Sequence, residues 1–202
     1  MKEFNIVLAG VGGQGTLLAA EVIGSAAVRD GLNVRVSEIH GMAQRGGAVV
    51  SNVRIGESVL ASTVLEGQAD VLLGFEPLET VRNLKSASEK TLVIMNTQQI
   101  APTELAANNT DYPSVEAVLA KIHLFTADVI LIEAAELAKK AGSRLTQNSV
   151  LLGALAAVKD FPVSAKSMVW ALRELVPKKY AEMNVRAFEL GRDSMRKKQK
   201  RV

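Results

Sequence analysis

An α/β fold with a mainly parallel sheet is the architecture this sequence predicts. Three observations predict it. A short apolar run, FNIVLA at residues 4–9, ends in glycines. A stretch with one apolar face follows from about Gln14 to Arg29, and Asn33–Ile39 then alternates apolar and polar residues. Strand, helix and strand in that order make a β-α-β unit, whose crossover sets two strands parallel. The first run is apolar on both faces, as suits a strand covered by helices on both sides. The expected arrangement is therefore a three-layer, Rossmann-like α/β/α domain, with a helical segment at its C-terminal end.

The elements follow in order. Leu17, Leu18, Val22 and Ile23 give the first helix its apolar face, and Asp30-Gly31 breaks it. Residues 40–47, HGMAQRGG, form a polar, Gly-rich loop. Ala48–Ile55 reads as a strand closed by a Gly56-Glu57 turn, and Ala69–Phe75 and Thr91–Met95 as two more. Between these last two, Glu76 to Lys90 reads as a helix with Pro77 in its first turn, where the missing N–H has no bond to lose. Residues 97–113, with Pro102, Asn108-Asn109 and Pro113, are loop-like. Val115–Lys121 is a short helix, and Ile122–Ala127 a last strand that carries His123. Everything beyond is helical. Asp128 caps a helix running to Ala141, supported by Glu136 and Lys140 at i,i+4 spacing and stopped by Gly142. Thr146–Val158, Ala165–Val176 and Lys178–Lys198 follow, separated by Phe161-Pro162 and Pro177. No repeat or linker divides the chain, so residues 1–202 read as one domain.

Composition narrows the function. The chain is 48% hydrophobic and 22% charged, the balance of a sequence that buries a core. It has no cysteine, which excludes disulfides, thiolate zinc sites, a cysteine nucleophile and cysteine-ligated iron–sulfur clusters within it, and fits a reducing cytoplasm. Its only histidines, His40 and His123, are too far apart for a helical ligand pair, so no metal site is expected. No apolar run approaches the roughly 18 residues that span a bilayer. The N-terminus lacks the length and cleavage site of a signal peptide. The net charge of +3 comes from the tail: residues 192–202 hold six Lys/Arg and one Asp, leaving a body with 18 basic and 20 acidic residues. The tail has no aromatic residue for stacking, so it reads as a solvated helix end rather than a nucleic-acid or membrane contact.

Gly10, Gly12 and Gly15 spell G-x-G-x-x-G between a strand and a helix, with Gly13 and Gln14 inside. Gly10 permits a tight turn, Gly12 a close phosphate approach, and Gly15 close helix–strand packing, while the helix N-terminus offers free N–H groups to an anion. The same glycines also suit tight packing against another loop. No Lys precedes Thr16, which excludes a Walker A loop. Glu38 is the only acidic residue placed to hold a ribose, and it sits late. Around it, Glu38, His40, Gln44 and Arg45 cluster beyond the second strand, where open α/β sheets bind ligands. Arg45, followed by Gly46-Gly47, could grip a phosphate or carboxylate or tie down loop carbonyls, and His40 suits an ordinary loop hydrogen bond. Glu76 falls at the same sheet edge, to pair with Arg45 or face solvent. No nucleophile-and-base pairing is evident, nor any G-x-S-x-G, H-E-x-x-H, Ser-x-x-Lys or kinase pattern. No catalytic residue is assigned.

These motifs together resemble a known family. GVGGQG at 10–15, EIHGMAQRGG at 38–47, SNVRIG at 51–56, FEPLE at 75–79, NSVLLGA at 148–154 and NVRAFELG at 184–191 are similar to the gamma-type subunit or domain of 2-oxoacid:ferredoxin oxidoreductases. HGMAQRGG most resembles the beta subunits of the indolepyruvate branch. The resemblance implies oxidative decarboxylation of a 2-oxoacid, with coenzyme A as acyl acceptor and ferredoxin as electron acceptor. It implies that thiamine diphosphate, magnesium and the iron–sulfur clusters lie on a larger partner subunit, since this chain lacks the thiamine pattern and has no cysteine. Ferredoxin would then be reached through the complex. This subunit would stand beside the active site, with coenzyme A at the glycine loop and Arg45, and a homodimer is left open for the isolated chain. An aryl 2-oxoacid follows from the HGMAQRGG wording, with pyruvate, 2-oxoglutarate and branched-chain substrates still open. Two rivals remain at this point: a nicotinamide or flavin enzyme, and a stand-alone nucleotide-binding or scaffolding module without catalysis.

Overall fold

A computed structural model describes residues 3–40, 46–100 and 112–199. Its centre is a six-stranded sheet in the order β2-β3-β1-β4-β5-β6. The strands are β1 (Phe4–Val11), β2 (Val34–His40), β3 (Ala48–Ile55), β4 (Val71–Gly74), β5 (Leu92–Asn96) and β6 (Val129–Ile132). β1, β4, β5 and β6 are parallel neighbours. β3 pairs antiparallel with β1, Phe4 opposite Ile55, and β2 pairs antiparallel with β3. β1 and β2 therefore run in the same direction, as the β-α-β unit requires, but β3 lies between them.

Seven helices lie among the described residues: α1 (Thr16–Arg29), α2 (Pro77–Arg82), α3 (Val115–Ile122), α4 (Ala134–Ala141), α5 (Gln147–Leu155), α6 (Ala165–Leu175) and α7 (Ala181–Gln199). Alternate residues of each central strand feed two cores. Ile6, Leu8, Val71, Leu73 and Ile94 meet α1 and α4–α7 on one face. Val7, Ala9, Leu72, Val93 and Met95 meet α3 and residues Val64 and Leu84 on the other. This is the expected three-layer arrangement, with the C-terminal helices stacked on one side. α5 and α7 cross at Gly153 and Gly191. A Cβ at Gly153 would collide with the Phe188 carbonyl, and one at Gly191 with the Val150 carbonyl, so each glycine admits the other helix's backbone. None of the helices among the described residues is long and apolar enough to cross a membrane.

Three expectations need correction. The last strand is Val129–Ile132, not Ile122–Ala127, and His123 caps the C-terminal end of α3 with Nδ1 3.3 Å from the Thr126 carbonyl. Asp128 consequently leads into β6, its carbonyl accepting from Val93 N–H, and the helix after it begins only at Ala134. VILI is apolar at every position, and such a run fits a buried strand or a buried helix equally well. The helix that opens at Pro77 ends at Arg82, not Lys90, because the Asn83 side chain bonds back to the Glu79 carbonyl and a single tight turn, Leu84–Ser86, follows.

Candidate functional site

The sheet changes winding direction between β1 and β4, the place where open α/β sheets bind ligands. β1 runs into the glycine loop here and β4 into Phe75-Glu76. The two approach closely: a Cβ at Gly10 would lie 2.8 Å from Phe75 Cβ and 2.8 Å from Thr16 Oγ1, which no side chain tolerates. The Gln14 side chain fills the turn. Its Oε1 accepts from Val11 N–H at 2.7 Å and its Nε2 donates to the Phe75 carbonyl at 2.9 Å. Asn96, buried at the end of β5, donates to the same carbonyl at 3.2 Å and to Gln147 Oε1 at 3.2 Å. Its Oδ1 accepts from Ala134 N–H at 3.3 Å, so one amide ties together β4, β5 and the starts of α4 and α5.

The loops also hold each other. Gly12 N–H donates to the Gly47 carbonyl at 2.8 Å, and Gly46 N–H to the Gly12 carbonyl at 3.3 Å, with Gly46 in the left-handed region. Gly15 is left-handed too, and Asn148 Nδ2 lies 2.7 Å from where its Cβ would be. α1 starts at Thr16 with no side-chain cap and no acidic residue in its first turn. Among the described residues, none accepts from the N–H groups of Gly13, Gly15, Thr16 or Leu17. Thr16 is buried, and among the described residues its Oγ1 has no hydrogen-bond partner. A Cβ at Gly13 would enter open space. An uncapped 14-residue helix with free amides and a positive dipole end can take an anion.

Glu76 is fully buried, so the alternative that it faces solvent is corrected. Oε2 caps α2 by accepting from Glu79 N–H at 2.9 Å. Oε1 accepts from Ile100 N–H at 3.3 Å and from the Tyr112 hydroxyl, whose oxygen in turn accepts from Leu78 N–H at 3.1 Å. Burial, then the Glu76 hydrogen bond and charge, hold the Tyr112 phenol well above the usual tyrosine range.

Residues 5–194 match the family model described as pyruvate ferredoxin/flavodoxin oxidoreductase. The chain belongs to this family. It is similar to indolepyruvate oxidoreductase subunit IorB of Pyrococcus horikoshii, 42% identical over 192 residues that cover 95% of each chain. The fold matches the keto/oxoacid ferredoxin oxidoreductase gamma subunit of Geobacter sulfurreducens, with a TM-score of 0.71, 24% identity, and coverage of 96% of this chain and 99% of that one. It also matches the 2-oxoglutarate:ferredoxin oxidoreductase of Magnetococcus marinus, TM-score 0.71 at 22% identity, covering 98% of this chain and 32% of that longer one.

In this family member the predicted site residues do not all converge. Gly10, Gly12, Gly13, Gln14, Gly15, Gly46, Gly47 and Glu76 meet at the β1–β4 edge. Glu38 does not. It sits on the edge strand β2, two strands from β1, with its side chain in a groove beside α1. His40 pairs with Val49 through the β2–β3 ladder, and its side chain lies outside the described residues, as do Gln44 and Arg45. Sequence reading missed Asn96, Tyr112 and Gln147 at this edge. Asn96 and Gln147 carry a local signal, a polar side chain closing an apolar strand or opening a helix, and Tyr112 carries none. Among the described residues no three His, Asp or Glu groups converge as a metal site, and without cysteine the chain cannot ligate an iron–sulfur cluster through thiolate.

Proposed function

We propose that this chain is the small subunit of a 2-oxoacid:ferredoxin oxidoreductase that decarboxylates indolepyruvate or another aryl 2-oxoacid to its acyl-CoA and passes the electrons to ferredoxin. The similarity to an indolepyruvate oxidoreductase subunit over nearly the whole of both chains carries this reading. Residues 1–202 act as one domain, in the reducing cytoplasm that a cysteine-free chain suits. Thiamine diphosphate, magnesium and the iron–sulfur clusters belong to a larger partner subunit, since this sequence lacks the thiamine pattern and has no cysteine to ligate a cluster. Anaerobic recovery of the tagged chain from its native host tests this. A brown eluate containing a larger, Cys-rich, thiamine-binding chain is expected. A colourless eluate without a partner overturns it.

Coenzyme A is the ligand best suited to the glycine loop. Its phosphates are anions, and the open amides of Gly13, Gly15, Thr16 and Leu17 beside the buried Thr16 hydroxyl are donors. Gly12 contributes by holding the 46–47 segment, and Arg45, next in sequence to Gly46, is assigned to the phosphates on the charge of its guanidinium. Gln14 closes the loop from behind, Gly10 lets Phe75, Thr16 and Gln14 approach, and Glu76 holds the segment after β4 by capping α2. In the assembled enzyme Arg45→Ala and Thr16→Val should raise the KM for coenzyme A while leaving the 2-oxoacid KM unchanged. An unchanged coenzyme A dependence in both variants removes it from this loop.

A further inference from the structure

β2 is the free edge of the sheet, and its backbone shows which groups are open. Gly56 N–H donates to the Asn33 carbonyl at 3.1 Å, so residues 33, 35, 37 and 39 turn their backbone groups toward β3. Val34, Val36 and Glu38 turn theirs outward. Arg35 Nη1 covers the Val34 carbonyl at 3.0 Å, a guard of the kind natural edges carry. From Val36 onward, no described residue covers the edge.

The outward-facing residues also line a groove. Val36 and Glu38 of β2, Glu21 and Val28 of α1 and Trp170 of α6 line it, around a volume of about 490 Å³. Val28 is 65% exposed and Trp170 37%. Among the described residues neither Glu21 nor Glu38 makes an ion pair. An open backbone edge beside an apolar groove with two unmatched carboxylates is complementary to an added strand. Such a strand would place alternate small apolar side chains in the groove and a cation against the acids. A second copy of β2 lacks that cation, because its Arg35 lies on the opposite face of the sheet from Glu38.

We propose that the β2 edge from Val36 onward, with the Glu21–Glu38–Trp170 groove, docks an extended segment of the larger subunit that carries a Lys or Arg opposite Glu38. The identity of the occupant as the larger subunit rests on the subunit reading above. The test uses the complex recovered through the tagged chain and, in parallel, the isolated full chain, comparing amide hydrogen exchange. The Val36 and Glu38 amides should exchange at least tenfold more slowly in the complex. Glu38→Lys and Val36→Pro, whose lost N–H is not in the β3 ladder, should each cut recovery of the larger subunit at least tenfold, with the isolated variants keeping the parent's circular dichroism. A complex in which these amides exchange as fast as in the isolated chain overturns the docking site and leaves the subunit reading standing. Protection that appears in the isolated chain and grows with its concentration assigns the edge to a second copy and overturns it as well. Failure to recover any complex overturns both.

Discussion

Gln14 donates its side-chain amide to the Phe75 carbonyl at 2.9 Å while accepting from Val11 N–H, so one side chain closes the turn after β1 and pins it to the end of β4. A buried N–H or carbonyl left without its partner costs about 1–3 kcal/mol. Gln14→Leu should therefore destabilise the fold by about that amount. Urea unfolding of the purified chain measures it, and an unchanged midpoint would mean that water serves the turn equally well.

The α5–α7 crossing is steric. Gly153→Ala or Gly191→Ala drives a methyl into the opposing helix backbone, and the helices must separate. Overpacking of this kind costs about 1–3 kcal/mol or more. Gly24→Ala is the control, since only the Val36 methyl, 3.1 Å away, crowds it. The gain in helix propensity there, about 1 kcal/mol, offsets the crowding. Thermal melts should show Gly24→Ala near the parent and the other two well below it.

Asp30, at the end of α1, accepts from Ser164 N–H at 2.7 Å and from the hydroxyls of Ser164 and Ser167, fastening α1 to the start of α6. Burial pushes its carboxyl up, but the Ser167 and Ser164 hydrogen bonds and Arg29 outweigh it, leaving the carboxyl below its ordinary value of 3.8. A carboxyl lowered on folding adds stability above its unfolded value and loses it as pH falls through the folded one. Between about pH 5 and 2, stability of the parent should fall more steeply than that of Asp30→Asn. Parallel slopes would show that the latch does not titrate.

Tyr112 has the opposite sign. Its phenol is raised by burial and by Glu76, so its contribution is complete below the ordinary value of 10.0 and is lost as pH climbs beyond it. Tyr112→Phe leaves Leu78 N–H without its partner and should cost about 1–2 kcal/mol at neutral pH. It should also flatten the alkaline limb of a stability–pH curve. A loss at neutral pH with the alkaline limb unchanged would separate packing from titration.

Much of the fold was legible because the apolar runs of β1, β4 and β5 are short and bounded by glycine, asparagine or proline. β6 was misplaced because VILI abuts a helix whose Glu136–Lys140 spacing invites extension backward. The place of β3 was not legible: strand order depends on which edges meet in three dimensions, and nothing in SNVRI states that it faces FNIVL. At the site, the glycine loop could be located but not how its interior is filled. Gln14 reads as one more loop residue until its two backbone partners, Val11 and Phe75, are brought together. Glu38 followed the logic of a β-α-β unit with adjacent strands, and the intervening β3 removes it from the site.

That intervening strand also sets an order of events during synthesis. β2 touches no strand except β3, from which residues 41–47 separate it, whereas β1 meets β3 across more than 30 intervening residues. Short-range pairings form before long-range ones. β2 and β3 should therefore pair as a hairpin before β3 meets β1. Until β3 has left the ribosome, the growing chain holds two strands and a helix, and neither strand has a neighbour to pair with.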